Sequence, residues 1–264
     1  MESFLQNGSV RIHFQTWGTS GPWITLVNGH TRSLRDFNFV AKNFASRGLR
    51  VLSFDNRGAG QSTCELDFTI SDMVSDILAL WDNLSIPKSH LAGISMGGQI
   101  CQLLATSAPE RVETLILIST ASRATWIAHS SNDEWIPDQT AIEGRLSRHF
   151  SASYLSKNRL ILRAMAKSML GNVDGTFNMN ARAQRQAIAD FDLTQRLGEI
   201  KIPTLVIHGS EDAIISPQAA EELARLIPLA QLAMISGAGH HLLAEARQIL
   251  EDLISSFLSK LQKS

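Results

Sequence analysis

The chain has 264 residues, 44% of them hydrophobic and 19% charged, with a formal net charge of -1 at pH 7. That balance specifies a globular chain with a sizeable core, gives no electrostatic reason for nucleic acid or an anionic membrane as partner, and contains no apolar run near the ~18–20 residues that span a bilayer. Two cysteines, Cys64 and Cys101, make neither a disulfide framework nor a CxxC site, and Met1 to Gly8 lack the basic and apolar regions of a signal peptide, so the expectation is a cytoplasmic protein.

In chain order, Val10, Ile12 and Phe14 alternate with polar residues and predict a half-exposed strand at a sheet edge. After turn chemistry at Gly18 to Pro22, the apolar run Trp23-Ile-Thr-Leu-Val27 predicts a strand buried on both faces, ending in Asn28-Gly29-His30-Thr31. Phe37, Val40, Ala41 and Phe44 mark a helix that stops near Gly48. Arg50 to Asp55 reads as another buried strand running into the loop Asn56-Arg-Gly-Ala-Gly-Gln-Ser62. That loop lacks the GxxxxGK[ST] and GxGxxG spacings of phosphate binders and reads as structural. Thr69 and Asp72 open a helix with Ile70, Met73, Val74, Ile77, Trp81 and Leu84 on one stripe.

The stretch Leu91-Ala-Gly-Ile-Ser-Met-Gly-Gly98 follows a short buried strand and precedes Ile100, Leu103 and Leu104 at helical spacing. Gly93-x-Ser95-x-Gly97 in that setting is the pattern of a nucleophile elbow, a turn so tight that the residues two before and two after the serine must be small. The turn exposes the Ser95 hydroxyl and aims the N–H of Met96 at the same point. Thr114 to Ile118 is a further buried strand, and the alternation to this point specifies a parallel sheet with helices on both faces.

From about 121 to 191 the alternation breaks. Trp126, His129, Trp135, Arg145, His149 and Arg163 are interleaved with apolar residues, and Leu155, Leu160, Ile161, Met165 and Met169 repeat at helical spacing. This segment reads as a helical cap inserted into a single domain spanning 1–264, with Trp126 and Trp135 as candidate substrate contacts. Its nine Lys or Arg against six Asp or Glu between 123 and 190 read as a solvated face. Alternation resumes with the strand Thr204 to His208, a helix opened by Ser216-Pro217, the strand Gln231 to Ile235, and a closing helix with Ile249, Leu250, Leu253, Ile254, Phe257 and Leu261.

A serine hydroxyl needs a general base, and the base needs a carboxylate to fix its tautomer. His240, bounded by Gly237 and Gly239, follows the last strand, and Asp212 follows the strand before it. Their neighbours His241 and Glu211 are the rivals for each role; the GxGH position favours His240, and Asp212 is preferred to Glu211. The order Ser95, Asp212, His240 is that of the nucleophile-elbow hydrolases. The backbone N–H of His30, in the glycine turn after Val27, is the candidate second oxyanion donor beside Met96. No metal-ligand spacing such as HExxH occurs.

Trp23-Ile-Thr-Leu-Val-Asn-Gly-His30, Phe54-Asp-Asn-Arg-Gly-Ala-Gly-Gln-Ser62, Gly93-Ile-Ser-Met-Gly-Gly98, Pro109-Glu-Arg-Val112 and Gly237-Ala-Gly-His240 together resemble the α/β-hydrolase superfamily over nearly the whole chain. The elbow is similar to that of 3-oxoadipate enol-lactonases and their esterase relatives. One departure is Asn28, where the family carries a histidine before the oxyanion glycine. The resemblance implies an α/β-hydrolase fold: a mostly parallel central sheet, helices on both faces and a helical cap insertion. It implies a serine hydrolase acting on a small carboxylic ester or lactone, with no cofactor, no metal and no nucleic-acid or membrane partner. Relatives with the same triad cleave C–C bonds of β-diketone-like compounds, and others are slow-turnover small-molecule receptors.

Overall fold

Apolar runs alternate with amphipathic stripes along most of the chain, and the order in which the resulting strands pair decides which loops meet. The structure is a computed structural model that describes residues 2–127 and 134–261. Among these residues, β1 (Glu2–Asn7), β2 (Val10–Trp17), β3 (Trp23–Val27), β4 (Arg50–Phe54), β5 (Ser89–Ile94), β6 (Val112–Ile118), β7 (Thr204–Gly209) and β8 (Ala230–Ile235) form one sheet in the order β1-β2-β4-β3-β5-β6-β7-β8. The β1–β2 and β2–β4 pairs are antiparallel, and every pairing from β4 through β8 is parallel. The loops leaving β3, β5, β7 and β8 therefore emerge at one edge, where ligands of open α/β sheets bind.

The helices are α1 (Asn38–Ser46), α2 (Ile70–Asn83), α3 (Met96–Ser107), α4 (Gln139–Ser147), α5 (Ala152–Leu170), α6 (Gly175–Ala187), α7 (Pro217–Leu226), α8 (Leu242–Glu245) and α9 (Arg247–Leu261). Successive residues of a buried strand face opposite sides. Leu115 and Val206 accordingly pack with Ile77 and Trp81 of α2, Leu104 of α3 and Leu223 of α7. Their neighbours Ile116 and Ile207 pack with Phe44 of α1 and Ile254 and Phe257 of α9 on the other face. α2 starts with a reciprocal capping box between Thr69 and Asp72.

Several expectations need correcting. β2 is not an edge strand. The Gly8-Ser9 hairpin, with Gly8 at φ +60°, folds β1 over it, and β1 brings Glu2 Oε1 to within 2.7 Å of the buried His13 Nε2. The opposite edge is β8, in which Leu232 and Met234 are exposed. In α5, Leu160 and Ile161 are exposed, because non-helical backbone at Asn158 (φ -126°, ψ 27°) breaks the phase of the expected stripe. Ile249, on the expected stripe of α9, is also exposed.

Between β6 and β7 the chain leaves and returns at one place. Arg123 and Asp192 form an antiparallel bridge. Ala124 N–H donates to Phe191 O at 2.7 Å, and Leu193 N–H to Ser122 O at 2.9 Å. The helices α4, α5 and α6 lie within this loop of chain, and Trp135, Ile142, Leu146, Ala166 and Val173 form a core separate from the two sheet-face cores.

Candidate active site

Ser95 sits between β5 and α3 with φ 54° and ψ -122°, a conformation that costs a non-glycine residue on the order of 1–3 kcal/mol. The surroundings hold it there. Ser95 N–H donates to Ile118 O at 2.9 Å, and the Thr120 hydroxyl donates to Ser95 O at 2.7 Å. The glycines supply the clearance: a Cβ on Gly97 would lie 2.2 Å from Val27 O, one on Gly93 2.4 Å from Gly97 O, and one on Gly98 2.5 Å from the Thr120 methyl. Gly29 comes so close from β3 that its Cβ would meet the Ser95 Cβ at 3.3 Å. Met96 is the first residue of α3, whose opening N–H groups have no partner within the helix.

Asn28 organises the loop after β3. Its Oδ1 accepts from Gly29 N–H at 2.8 Å, and its Nδ2 donates to Ser33 O at 2.7 Å and Asp36 Oδ2 at 3.2 Å. The His30 side chain is committed to α6: a carbonyl only accepts, so Nε2 donates to Ala181 O at 2.7 Å. Thr31 N–H donates to Gln184 Oε1 at 2.8 Å.

Asp212 and His240 come together. Asp212 Oδ2 lies 2.8 Å from His240 Nδ1, while Oδ1 accepts from Ile214 N–H at 2.8 Å and Ile215 N–H at 2.9 Å. Burial by itself would raise the Asp212 carboxyl, but the facing His240 and His208 outweigh it and hold the group well below the usual carboxylate range. The carboxylate fixes His240 with its proton on Nδ1 and leaves Nε2 as the acceptor. The adjacent residues point elsewhere. Glu211 is exposed. His241 stacks on Phe150 with ring centroids 5.2 Å apart and brings Nε2 to within 3.4 Å of an Arg32 nitrogen. Burial, then Arg32, lowers His241 to about 4. His149, 5.7 Å from His240 ring to ring, is lowered to about 3 by burial and then by His240 and His241.

Two residues of this site escaped the motif reading. His208 is fully buried on β7; its Nε2 donates to Ile215 O at 3.0 Å and lies 3.1 Å from Asp212 Oδ2. The signal was a polar residue ending an apolar strand, because a buried polar group needs a partner. Glu245 accepts from Gly239 N–H at 3.2 Å, Ser151 N–H at 3.0 Å and the Ser151 hydroxyl at 2.8 Å, tying the His240 loop to the start of α5.

Ser95, Met96, His30 and His240 line one cavity of about 350 Å³, shared with Trp135 and with residues on and beside α4 and α6. No hydrogen bond among the described residues joins the Ser95 hydroxyl to His240; the shared cavity relates them, and such bonds often tighten only when substrate binds. Trp126 is not in the cavity wall. Its Nε1 donates to Glu222 Oε1 at 2.9 Å and its ring packs by Ile215 and Ala219, because the bridge at Arg123 directs this turn toward α7. His129 lies outside the described residues. Among the described residues, no three His, Cys, Asp or Glu side chains are grouped to hold a metal ion, and no helix is long and apolar enough to cross a membrane.

The sequence profile of the α/β-hydrolase fold matches residues 22–246, and the chain belongs to that family. It is 29% identical to "Putative carbamate hydrolase RutD" of Variovorax paradoxus (strain S110), over 94% of this chain and 96% of that protein. The enol-lactonase from Burkholderia xenovorans LB400 superposes with a TM-score of 0.84 at 27% identity, covering 97% of this chain and 100% of the other. Est816, described as an N-acyl homoserine lactone degrading enzyme, superposes with a TM-score of 0.83 at 25% identity, covering 97% and 100%.

Proposed function

We propose that this hydrolase-fold protein cleaves a small carboxylic ester or lactone through an acyl-enzyme on Ser95. The observation that carries the reading is the 2.8 Å contact between Asp212 Oδ2 and His240 Nδ1 beside a cavity that also holds the elbow serine. The similarity to an enol-lactonase and to an N-acyl homoserine lactone degrading enzyme supports it.

In this mechanism His240 Nε2 takes the proton of Ser95 Oγ as the oxygen attacks the substrate carbonyl. Asp212 stabilises the imidazolium that forms. The N–H groups of Met96 and His30 hold the oxyanion, the first at the start of a helix and the second in a loop stapled by Asn28. Collapse expels the alkoxide, which takes the proton from His240; in a lactone it stays attached to the acyl group. Water, deprotonated by His240, then attacks the acyl-enzyme, releases the acid and restores Ser95. The helices α4 to α6 act as a cap over this chemistry and choose the substrate. No cofactor enters any step.

The test is Ser95→Ala. It should lower hydrolysis of 4-nitrophenyl esters by at least ~10³-fold without lowering the melting temperature, and a fluorophosphonate should label Ser95 in the unaltered protein. Retention of a tenth of the activity by the variant would sink the assignment. One burst without steady turnover would instead indicate a receptor.

A further inference from the structure

The peptide between Gly29 and His30, which carries the His30 N–H, lies between two clamped peptides. On one side, Asn28 O accepts from Asn56 Nδ2 at 2.8 Å, and Gly29 N–H donates to Asn28 Oδ1 at 2.8 Å. On the other, His30 O accepts from the Thr31 hydroxyl at 2.7 Å, and Thr31 N–H donates to Gln184 Oε1 at 2.8 Å. Between the clamps sits Gly29, whose Cβ would come within 3.3 Å of the Ser95 Cβ. A glycine leaves the peptides beside it free to rotate, so the stiffness of this span comes from the clamps.

Gln184 belongs to α6, in the segment between β6 and β7, and is fully buried. A backbone carbonyl only accepts and a backbone N–H only donates, so its amide has one orientation: Nε2 donates to Arg57 O at 2.9 Å while Oε1 takes the Thr31 N–H. Burying an amide is costly unless its ends are bonded, and here both are. One side chain thereby joins the loop after β4 to the loop after β3. The stretch Asn56 to Ser62, which reads in sequence as structural, supplies both the Asn56 clamp and the Arg57 carbonyl. The His30 side chain reaches the same helix through its bond to Ala181 O. Thr31 itself lies at φ 61°, a left-handed conformation that is an outlier for a β-branched residue and persists only where the surroundings over-determine it.

We propose that Gln184 is a positioning residue for the oxyanion loop: by holding Thr31 from α6 it fixes the His30 N–H toward the Ser95 cavity, so that a helix of the cap acts on the chemical step. This rests on the hydrolase reading above, in which the His30 N–H holds the oxyanion. Gln184→Met keeps length and volume and makes neither bond. It should lower kcat for 4-nitrophenyl acetate roughly tenfold or more, short of the ~10²–10³-fold of removing an oxyanion donor outright. KM should change little, as for an interaction made only in the transition state. Affinity for a trifluoromethyl ketone, whose adduct with Ser95 carries an oxyanion, should fall in step. Gln184→Glu keeps an oxygen for the Thr31 N–H; its kcat and ketone affinity should also fall together, by less, and it gives the same comparison should the methionine variant not fold. Thr31→Asn brings in a residue that visits the left-handed region readily and should recover part of the loss in the Gln184→Met protein. Gln184 variants that melt earlier but keep kcat and ketone affinity would make Gln184 a structural tie for α6 and overturn this inference, with the hydrolase reading standing. A fall in kcat without a fall in ketone affinity would overturn it as well. An unaltered protein that neither hydrolyses the ester nor is labelled by a fluorophosphonate would remove the hydrolase reading and this inference with it.

Discussion

His208 Nε2 lies 3.1 Å from Asp212 Oδ2, the same oxygen that faces His240 Nδ1 at 2.8 Å. It also donates to Ile215 O at 3.0 Å, so the proton must sit on Nε2. His208 thereby pins the turn whose N–H groups at Ile214 and Ile215 hold the other carboxylate oxygen. It positions Asp212, which in turn orients His240.

Replacing His208 by Leu should lower kcat/KM for a 4-nitrophenyl ester by roughly tenfold, the scale of one buried hydrogen bond left unmade. His208→Gln retains an amide donor and should recover part of that loss at similar thermal stability. If Gln and Leu are equally impaired, His208 is core packing and does not position the carboxylate.

The paired neighbours give a second expectation. His240→Ala should be as damaging as Ser95→Ala, because residues of one catalytic unit do not contribute additively, and Asp212→Asn should also be severe. Glu211→Gln should be mild, since that side chain is exposed. His241→Ala should cost stability more than turnover, because it removes the Phe150 stack and the Arg32 contact. Steady-state kinetics and melting curves on the four variants separate these outcomes; a lethal His241→Ala with normal stability would move the base by one position.

The elbow glycines are testable in the same assays. A Cβ at Gly97 meets backbone oxygens of both Val27 and Asn28, at 2.2 and 2.7 Å, and backbone cannot step aside as a side chain can. Gly97→Ala should destabilise the protein by ~1–3 kcal/mol and displace the loop carrying His30, slowing fluorophosphonate labelling. Gly144→Ala on α4, where a Cβ meets no described residue within 4 Å, is the matched control: it should leave labelling unchanged and raise stability by up to ~1 kcal/mol, Ala being the better helix former.

Much of this arrangement was legible because its signals are local. Buried strands are apolar runs, the elbow needs its glycines at fixed spacing, and Asp212 and His240 each follow a strand whose parallel neighbours bring their loops to one edge. What escaped depends on pairing. β1 is a short strand of mixed polarity whose partner only the hairpin identifies, so β2 read as an edge. The stripe in α5 lost its phase at Asn158. Trp126 and Trp135 look alike in sequence, yet one bonds Glu222 and the other lines the cavity, a difference fixed by the chain reversal at Arg123 and Asp192.

The histidines beside the site predict how stability depends on pH. His149 is lowered to about 3 and His241 to about 4 in the fold, against ~6.5 in an unfolded chain. Below ~6.5 the unfolded chain binds more protons than the fold, so stability falls as pH falls, by up to ~1.4 kcal/mol per pH unit for each group until its lowered value is reached. Asp36 and Asp212 are held low, by Arg32 and by His240 respectively against the effect of burial. Their contribution is present above the ordinary carboxylate range and is lost at still lower pH. Urea unfolding at a series of pH values from ~7 to ~4 should show the decline, and His149→Gln should flatten it. A flat profile in the unaltered protein would contradict the neutral state of these two half-buried rings.

The two tryptophans give the sharpest test of the proposal that α4 to α6 choose the substrate. Trp135 is 5% exposed, lines the cavity, meets Phe177 edge-on at 5.7 Å and lies under Arg145 at 4.4 Å. Among the described residues its indole N–H has no hydrogen-bond partner, so Trp135→Phe changes shape and removes no described bond. That variant should keep most of the stability while changing the ranking of 4-nitrophenyl esters of different acyl length. Trp135→Ala should change the ranking further and also destabilise by ~3–5 kcal/mol, as for a buried aromatic truncated to Ala. Trp126 differs on both counts. Trp126→Phe breaks the 2.9 Å bond to Glu222, which also accepts from Arg123 at 2.8 Å. It should lower the melting temperature and leave the ester ranking unchanged, because the ring does not reach the cavity. Kinetics and melts on the same preparations decide the matter. A changed ranking in Trp126→Phe with an unchanged ranking in Trp135→Phe would place the determinant of specificity near α7 and away from the α4–α6 wall.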